Sequence, residues 1–398
     1  MGPSLLYAFS LPLSMSGANI ALGLITAIAA WNIFRFRARL VIAHSFWVLL
    51  LFFLWAGAAA CMAEKSFNVF AFKSFEKSWN YLPMFLIPAI FTFSSAQHRK
   101  TADVLFATAA FVVLLGLLQY YFGFRFFFQN WFQEEGLVFQ GRFYGFQSHP
   151  LHSGALYCLS ALCALSFLLY DDIRAERRLF LAAALLILAL GVFLTKSRSY
   201  YLGLAAGAGL LLAFKSWKTL FIGALAAGIL VIVVATIDSD FKDRVNTLRA
   251  GRMDDSAKIR LNLWKAAGKM IEDHPLAGVG YGKWKVNILD YSQEFPGWDL
   301  DKASFAHAHN SYLMIAAETG IPGLVLILTF WIFLLKEQFK NLRTRMNASP
   351  GRAWTFATIA GIAALLVGGF FEHNFLTATP ALCLFFFVGL SRCPESPS

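Results

Sequence analysis

Long apolar segments separated by short polar loops make up most of this 398-residue chain. A helix needs about 20 apolar residues to cross a bilayer. Segments of that kind lie at 41–63, 75–94, 102–122, 152–170, 178–195, 198–214, 219–236, 311–335, 353–371 and 375–391. The stretch 3–34 is either one long span or two short ones broken near Ser14–Gly17. This pattern predicts an all-α polytopic membrane protein with eleven or twelve transmembrane helices, twelve being favoured.

One long polar segment, 237–308, interrupts the apolar pattern. Inside it, Asp255 or Ser256 can cap an amphipathic helix that runs to about Asp273, with Pro275 beyond its end. The apolar stripe of that helix consists of Ile259, Leu263, Ala267, Met270 and Ile271. A second short helix is expected to begin near His307–Asn310, reach Glu318, and break at Gly320-Ile-Pro-Gly323. The predicted organisation is an N-terminal bundle of seven to nine helices (1–236), the polar segment (237–308), C-terminal transmembrane helices (309–391) and a short tail (392–398).

Composition supports a membrane protein and charge gives its orientation. Apolar residues make up 58% of the chain and charged residues 14%, whereas soluble domains carry about 25% charged residues. The basic loops near residues 35–39, 98–100, 174–178, 215–218 and 336–352 alternate with the others, so the positive-inside rule makes them cytoplasmic. The long polar segment holds eleven Lys and Arg against eleven Asp and Glu. It is neutral, and the net charge of +11 therefore does not indicate nucleic-acid binding.

Cysteines and the N-terminus predict no further chemistry. The five cysteines lie mostly in apolar runs and form no CxxC, so neither disulfides nor a zinc site are expected. The N-terminus has no basic region followed by a small-residue cleavage site, so no cleaved signal peptide is predicted.

Cations on the predicted outer side are exceptions to the charge rule. Lys196 and Arg198 occupy a very short outer turn, and Arg142 and Arg260 also lie on that side. One guanidinium group can bind two phosphate oxygens at once, and it keeps its positive charge at any physiological pH. The alternative is that these side chains reach to the interface or pair with carboxylates.

Six of the eight histidines also lie on the outer side: His149, His152, His274, His307, His309 and His373. His309 is placed to accept a proton. A metal site is the competing hypothesis, since His307-Ala-His309 and the other outer histidines could cluster. No carboxylate stands at a standard ligand spacing such as HExxH, so the prediction for this site is no metal. Gly278-Val-Gly280-Tyr-Gly282 reads as a turn rather than a phosphate loop, because no strand precedes it and no Lys-Ser/Thr follows. Phe122–Phe128 either line a lipid entrance or form an interfacial belt.

Four stretches together resemble the O-antigen ligase and polymerase superfamily of bacterial envelope glycosyltransferases. They are Gly141-Arg-Phe-Tyr-Gly145 with His149-Pro150; Thr195-Lys-Ser-Arg198; Arg260-Leu-Asn-Leu-Trp264 continuing to Asp273-His-Pro and Gly278-Val-Gly280; and His307-Ala-His-Asn-Ser-Tyr-Leu313 with Glu318 and Gly320. The hydropathy profile is similar along almost the whole chain.

The resemblance implies a GT-C-like enzyme of the bacterial inner membrane, with its active site on the periplasmic side. It would transfer a glycan from undecaprenyl pyrophosphate to lipid A–core, inverting the linkage without metal or other cofactor. His309 would be the general base, and Arg198, Arg260, Arg142 and Lys196 would hold the pyrophosphate. His307, Asn310, Tyr312, Trp264 and His149 would support the site. Alternatives are an O-antigen polymerase, a protein O-oligosaccharyltransferase, and a transporter of lipid-linked sugar. The sequence shows no internal repeat of the kind common in transporters, and it leaves the oligomeric state open.

Overall fold

The computed structural model describes residues 2–36, 42–64, 76–122, 138–139, 142–143, 145–147, 149–237, 255–292, 306–345 and 349–394. The helices are α1 (Gly2–Leu13), α2 (Met15–Phe36), α3 (His44–Glu64), α4 (Pro83–Ile90), α5 (Ser95–Phe122), α6 (Pro150–Tyr170), α7 (Ala175–Leu194), α8 (Arg198–Lys215), α9 (Trp217–Ile237), α10 (Asp255–Asp273), α11 (Trp284–Ser292), α12 (Ser311–Thr344), α13 (Pro350–Gly368) and α14 (Ala378–Arg392). The strands β1 (Val138–Phe139) and β2 (Arg142–Phe143) pair antiparallel.

The chain is a polytopic helical membrane protein. Within the described ranges, seven helices are long and apolar enough to cross a bilayer: α2, α3, α5, α6, α7, α12 and α13. The first apolar stretch contains two helices, α1 and α2, separated at Ser14. Helices α6, α13 and α14 bury most of their residues and form the centre of the bundle. Lipid-facing apolar side chains remain on the outer helices, as in a protein whose solvent is hydrocarbon.

The prediction of a continuous span at 75–94 is wrong. Residues 76–81 form a 3₁₀ turn and only Pro83–Ile90 is α-helical, with Pro88 inside it. Proline lacks the N–H that a helix interior requires, so a long helix is disfavoured here. The segment nevertheless runs beside α14 from end to end: Tyr81 Oη donates to Phe375 O at 2.9 Å, and Phe93 N donates to Pro394 O at 3.2 Å.

Contacts between loops show which loops lie at each end of the helix bundle. At one end Arg99 pairs with Asp171 at 2.8 Å, and Arg345 donates to the carbonyl of Cys393 at 2.6 Å. At the other end, which we call the site face, segment 142–143 bonds to 195–198 and segment 306–311 bonds to 369–377. Arg198 and Phe371, one from each pair of segments, line the same cavity. These two groups match the loops that the charge pattern assigned to opposite sides of the membrane.

A capping segment, residues 255–292, covers part of the site face. Its amphipathic helix α10 has the bounds expected from sequence, whereas the short helix α11 was not predicted. The segment has an apolar core of its own, shared with the start of α12: Leu263, Ala266, Ala267, Met270, Val279, Trp284, Ile288, Ala308, Met314 and Ala317. Burial of this stripe holds a polar insert against a lipid-embedded bundle.

The capping segment is fixed to a break in α12 at Gly320. Gly320 has φ 70° and ψ −179°, which opens the helical hydrogen-bond pattern. The opened backbone bonds to the capping segment instead: Val279 N donates to Ala317 O, and Ile321 N donates to Pro275 O, both at 2.8 Å. The break expected at Gly320 is therefore the place where the two parts of the protein join.

A buried carboxylate strengthens the same junction. Glu318 is 3% exposed, and its Oε1 accepts a hydrogen bond from Trp284 N at 3.0 Å. On the other side of α12, Trp55 Nε1 donates to Thr319 O at 2.8 Å. Side chains from α3 and α12 thus satisfy backbone groups that the helix break and the adjoining turn would otherwise leave without partners.

Candidate active site

Two histidines and one carboxylate meet at the site face. His309 Nδ1 lies 3.4 Å from Glu372 Oε2, and His307 Nδ1 lies 3.7 Å from Glu372 Oε1. The Glu372 side chain is only 2% exposed, whereas each imidazole is 23% exposed. A buried negative charge therefore stands behind two imidazoles that a substrate can reach.

Backbone and cap contacts bring these distant residues together. Ser311 N donates to Gly369 O at 2.7 Å, and Ser311 Oγ donates to Glu372 O at 2.8 Å. Asn310 caps α12, because its Oδ1 accepts hydrogen bonds from the next two backbone N–H groups at 2.9 and 3.0 Å. Its Nδ2 also donates to Phe370 O at 3.1 Å. The start of α12 and the loop after α13 therefore form one hydrogen-bonded unit.

The backbone at the predicted base is in an uncommon conformation. His309 has φ 48°, in the left-handed region where few residues other than glycine are found. Lys196, in the short turn between α7 and α8, has φ 51°. Such conformations cost about 1–3 kcal/mol and cluster at functional sites. Both sit among the residues that the sequence singled out.

Hydrogen bonds and burial set the charge of Glu372. Burial alone would raise the pKa of Glu372, but its hydrogen bond with His309 and its closeness to both histidines lower that pKa to about 2. The carboxylate is therefore ionised and can accept a hydrogen bond from Nδ1 of His309. His307 Nδ1 accepts from His309 N at 3.3 Å, and burial lowers the pKa of His307 to about 4. His307 is therefore uncharged, and its 3.7 Å approach to Glu372 is a contact rather than an ion pair.

The two arginines predicted to hold pyrophosphate lie on one cavity. Arg198, at the start of α8, and Arg260, on α10, line a space of about 310 Å³. The remaining lining residues are Leu202, Ala257, Leu261, Trp264 and Phe371. The cavity is apolar apart from the arginines, and Phe371 immediately precedes Glu372. A ligand with an anionic group and an apolar body would match these walls.

Trp264 connects the cavity with the histidine cluster. It lines the cavity, and its Nε1 donates to Ala308 O at 3.0 Å. Ala308 stands between the two histidines and is itself fully buried. The positions of α10 and of the predicted base are therefore linked through one hydrogen bond.

Arg142 braces the turn that precedes Arg198. Its Nε donates to Thr195 O at 3.0 Å, and its Nη2 donates to Ser197 Oγ at 3.1 Å. Lys196 lies in the same turn. These contacts give Arg142 a role in holding the turn, and a direct role in binding pyrophosphate stays a prediction for both Arg142 and Lys196.

His149 and Tyr312 have contacts that are chiefly structural. His149 caps α6, since its Nδ1 accepts from Leu151 N at 3.2 Å, and burial lowers its pKa to about 4. Tyr312 Oη donates to Leu366 O at 2.7 Å, and its ring packs 4.6 Å from that of Phe370. Both residues border the cluster and support the loops around it.

Sequence reasoning missed Glu372 and gave no role to Glu318. Glu372 is not among the residues that the sequence predicted for the site, although a lone carboxylate beside His373 in a short loop between two apolar segments is a usable signal. The aromatic stretch Phe122–Phe128 lies outside the described residues, except that the backbone of Phe122 ends helix α5.

The geometry thus defines a membrane protein with a site at one face, built from a cavity that two arginines line and from a histidine–carboxylate cluster. Comparison with known sequences agrees with the resemblance drawn from the motifs. The model of the family described as Wzy_C, O-antigen ligase, matches residues 182–328. That range contains Arg198, Arg260 and His309.

A curated relative is similar over part of its length. The exopolysaccharide production protein ExoQ of Rhizobium meliloti (strain 1021) is 28% identical over 200 residues. The match covers 49% of this chain and 44% of that protein. The two comparisons support the O-antigen ligase and polymerase superfamily.

Proposed function

We propose that this protein is a glycosyltransferase that moves a glycan from a polyprenyl-pyrophosphate carrier to an acceptor hydroxyl at the periplasmic face of the bacterial inner membrane. The observation that carries the proposal is the adjacency of two elements. A cavity with two arginines and apolar walls adjoins an imidazole held by a buried carboxylate. The first suits a lipid-linked diphosphate and the second suits deprotonation of a sugar hydroxyl. The family match over residues 182–328 supports the same reading.

In the proposed reaction His309 Nε2 takes the proton of the acceptor hydroxyl. The acceptor oxygen then forms a bond to the anomeric carbon of the donor as the bond from that carbon to the pyrophosphate oxygen breaks. Attack opposite the leaving group inverts the anomeric configuration. A positioned base contributes about 10²–10⁴-fold to such a step, and the Glu372 carboxylate stabilises the imidazolium that forms.

The leaving group departs as polyprenyl pyrophosphate, with negative charge developing on its bridging oxygen. Arg198 and Arg260 supply fixed positive charge at the cavity, and such preorganised charge stabilises the transition state. These two side chains would do the work that a divalent cation does in other phosphate chemistry. The mechanism is therefore written without metal or cofactor.

Among enzymes of this chemistry, we propose the O-antigen ligase, which uses lipid A–core as acceptor and completes lipopolysaccharide. The second candidate is a polymerase, which would use another carrier-linked glycan as acceptor. The similarity to a protein named for exopolysaccharide production favours this second candidate. Deletion of the gene distinguishes them. Loss of a ligase leaves polymerised glycan on the carrier and bare core on the surface, whereas loss of a polymerase leaves core bearing a single repeat unit.

The chemistry is tested with purified protein in nanodiscs, supplied with carrier-linked donor and acceptor. We expect His309→Ala to abolish transfer while donor binding stays intact. Arg198→Ala and Arg260→Ala should weaken donor binding. The matched controls are His274→Ala, an exposed histidine, and Lys265→Ala, an exposed cation on the helix that carries Arg260. Undiminished transfer by His309→Ala would remove the proposed base, and normal donor affinity in both arginine variants would remove the pyrophosphate assignment.

A further inference from the structure

The histidine–carboxylate cluster has the composition of a transition-metal site. His307, His309 and Glu372 each offer one ligand atom, and these atoms all lie within 4.8 Å of one another. Two imidazoles with one carboxylate suit zinc, cobalt or nickel ions, whereas magnesium and calcium prefer sites made of oxygen. No standard spacing reveals this set in the sequence, because Glu372 follows His309 by 63 positions.

The distances are close to those of a tetrahedral site. Zinc binds imidazole nitrogen and carboxylate oxygen at about 2.0–2.2 Å, which places neighbouring ligand atoms about 3.3–3.6 Å apart. The distance from His309 Nδ1 to Glu372 Oε2 is 3.4 Å, and the distance from His307 Nδ1 to Glu372 Oε1 is 3.7 Å. The two imidazole rings stand 4.2 Å apart between centroids. With one ligand atom from each residue, the three atoms lie within 4.8 Å of one another.

Two further observations favour a cation. Within the described residues, the two side chains closest in charge contact with the buried Glu372 carboxylate are imidazoles, so a bound metal would supply the fixed positive charge that a buried carboxylate requires. His373 is buried next to the cluster, with its ring 5.8 Å from that of His307. Its Nδ1 has no hydrogen-bond partner among the described residues. Such an orphaned polar atom is unusual, and a water bound to a metal in the cluster would give it a partner.

We propose that His307, His309 and Glu372 bind a divalent transition-metal cation of the zinc class, and that occupancy of this site stops glycosyl transfer. The inhibitory part rests on the proposed function. A cation on Nδ1 of His309 leaves the only proton of that ring on Nε2, and a protonated Nε2 cannot accept the proton of an acceptor hydroxyl. Metal binding and proton acceptance by His309 would then exclude each other.

Binding is tested on full-length protein freed of metal with a chelator. Cobalt chloride is titrated, and the d–d absorption bands report both stoichiometry and tetrahedral geometry. Zinc chloride is then added to displace cobalt. We expect one equivalent to bind, and affinity to fall at least about tenfold in Glu372→Gln and His307→Gln. The exposed His274→Ala is the matched control. Thermal unfolding curves identify any variant that fails to fold, and the two near-isosteric changes provide independent tests.

Inhibition is tested separately by measuring transfer before and after addition of one equivalent of zinc, and again after chelation. Loss of transfer with zinc and recovery with chelator support the proposal. Zinc affinity that is unchanged in both variants overturns the site, and full transfer by zinc-saturated protein overturns the inhibition. Binding needs no glycan and transfer by the chelated enzyme needs no zinc, so failure of the metal proposal is distinguishable from failure of the proposed function.

Discussion

Replacement of Gly320 by alanine tests whether the helix break holds the capping segment in place. The φ of 70° and ψ of −179° at this position lie in a region that only glycine commonly occupies. A Cβ added there would stand 1.9 Å from Leu276 O and 2.3 Å from Leu276 C. Those are backbone atoms, so no side-chain rotation relieves the clash. The capping segment must move, or α12 must change its path.

The cost follows from the contacts at the junction. Backbone strain of this kind contributes about 1–3 kcal/mol, and loss of the Ile321 N to Pro275 O hydrogen bond contributes about 1 kcal/mol more. A total near 3 kcal/mol corresponds to a change of roughly 100-fold in the equilibrium between docked and undocked capping segment. The clash falls where α12 meets the capping segment, so we expect local opening at this junction rather than global unfolding.

Hydrogen exchange measured by mass spectrometry reports that opening. The amides of Val279 and Ile321, which donate across the junction, should exchange roughly 100-fold faster in Gly320→Ala. The control is Gly268→Ala on α10, where an added Cβ meets nothing within 4 Å. Alanine has the higher helix propensity, so exchange there should be unchanged or slower. Unchanged protection of both junction amides in Gly320→Ala would refute this account of the break.

Three further substitutions test the candidate site. Glu372→Gln should lower the rate of transfer about 10²–10⁴-fold without weakening donor binding, because the amide can donate to Nδ1 of His309 and move the ring proton to Nε2. An unchanged rate would contradict the pairing of Glu372 with His309. Trp264→Phe removes the hydrogen bond to Ala308 O and should destabilise the docking of the capping segment by about 1 kcal/mol. Hydrogen exchange of residues 255–292 measures this change, and equal protection in the variant would show that the bond is not needed. Arg142→Lys keeps the charge but not the two-point contact with the turn, so we expect weaker donor binding that is not restored by lowering salt; full affinity in this variant would count against a bracing role.

Local pattern was sufficient to predict most of the helices, although not the broken segment at 76–90 or the short helix α11. Apolar runs of bilayer length gave most of the helices, and the apolar stripe from Ile259 to Ile271 gave α10 with bounds close to those observed. Pro275 and Gly320 correctly marked where helices end or break. These features depend on neighbours a few residues apart, which periodicity and proline chemistry report directly.

Long-range pairing was beyond the same reasoning. Glu372 meets His309 only because Ser311 and Asn310 bond to the backbone after α13, and such backbone contacts leave no mark in composition. Likewise, the glycine turn at 278–282 was read as a bare turn. Its docking on α12 depends on a match between two backbones: a Cβ at Gly278 would stand 2.4 Å from Ala317 O.

The cavity explains why a lipid-embedded chain carries one large polar insert. A polyprenyl-linked glycan has a tail that belongs in hydrocarbon and a head that belongs in water, so a site for both must stand at the boundary. Leu202 and Arg198 come from bundle helix α8, while Ala257, Arg260, Leu261 and Trp264 come from the amphipathic α10, so each helix gives the cavity one cation beside apolar side chains. Under the proposed function, the bundle alone would offer the diphosphate only one of these two cations. The capping segment alone would have no fixed position. Its position is set by the junction at Gly320 and by the hydrogen bond from Trp264 to Ala308, which lies between His307 and His309. Loosening that junction should therefore reduce donor binding and catalysis together, although Gly320 does not line the cavity.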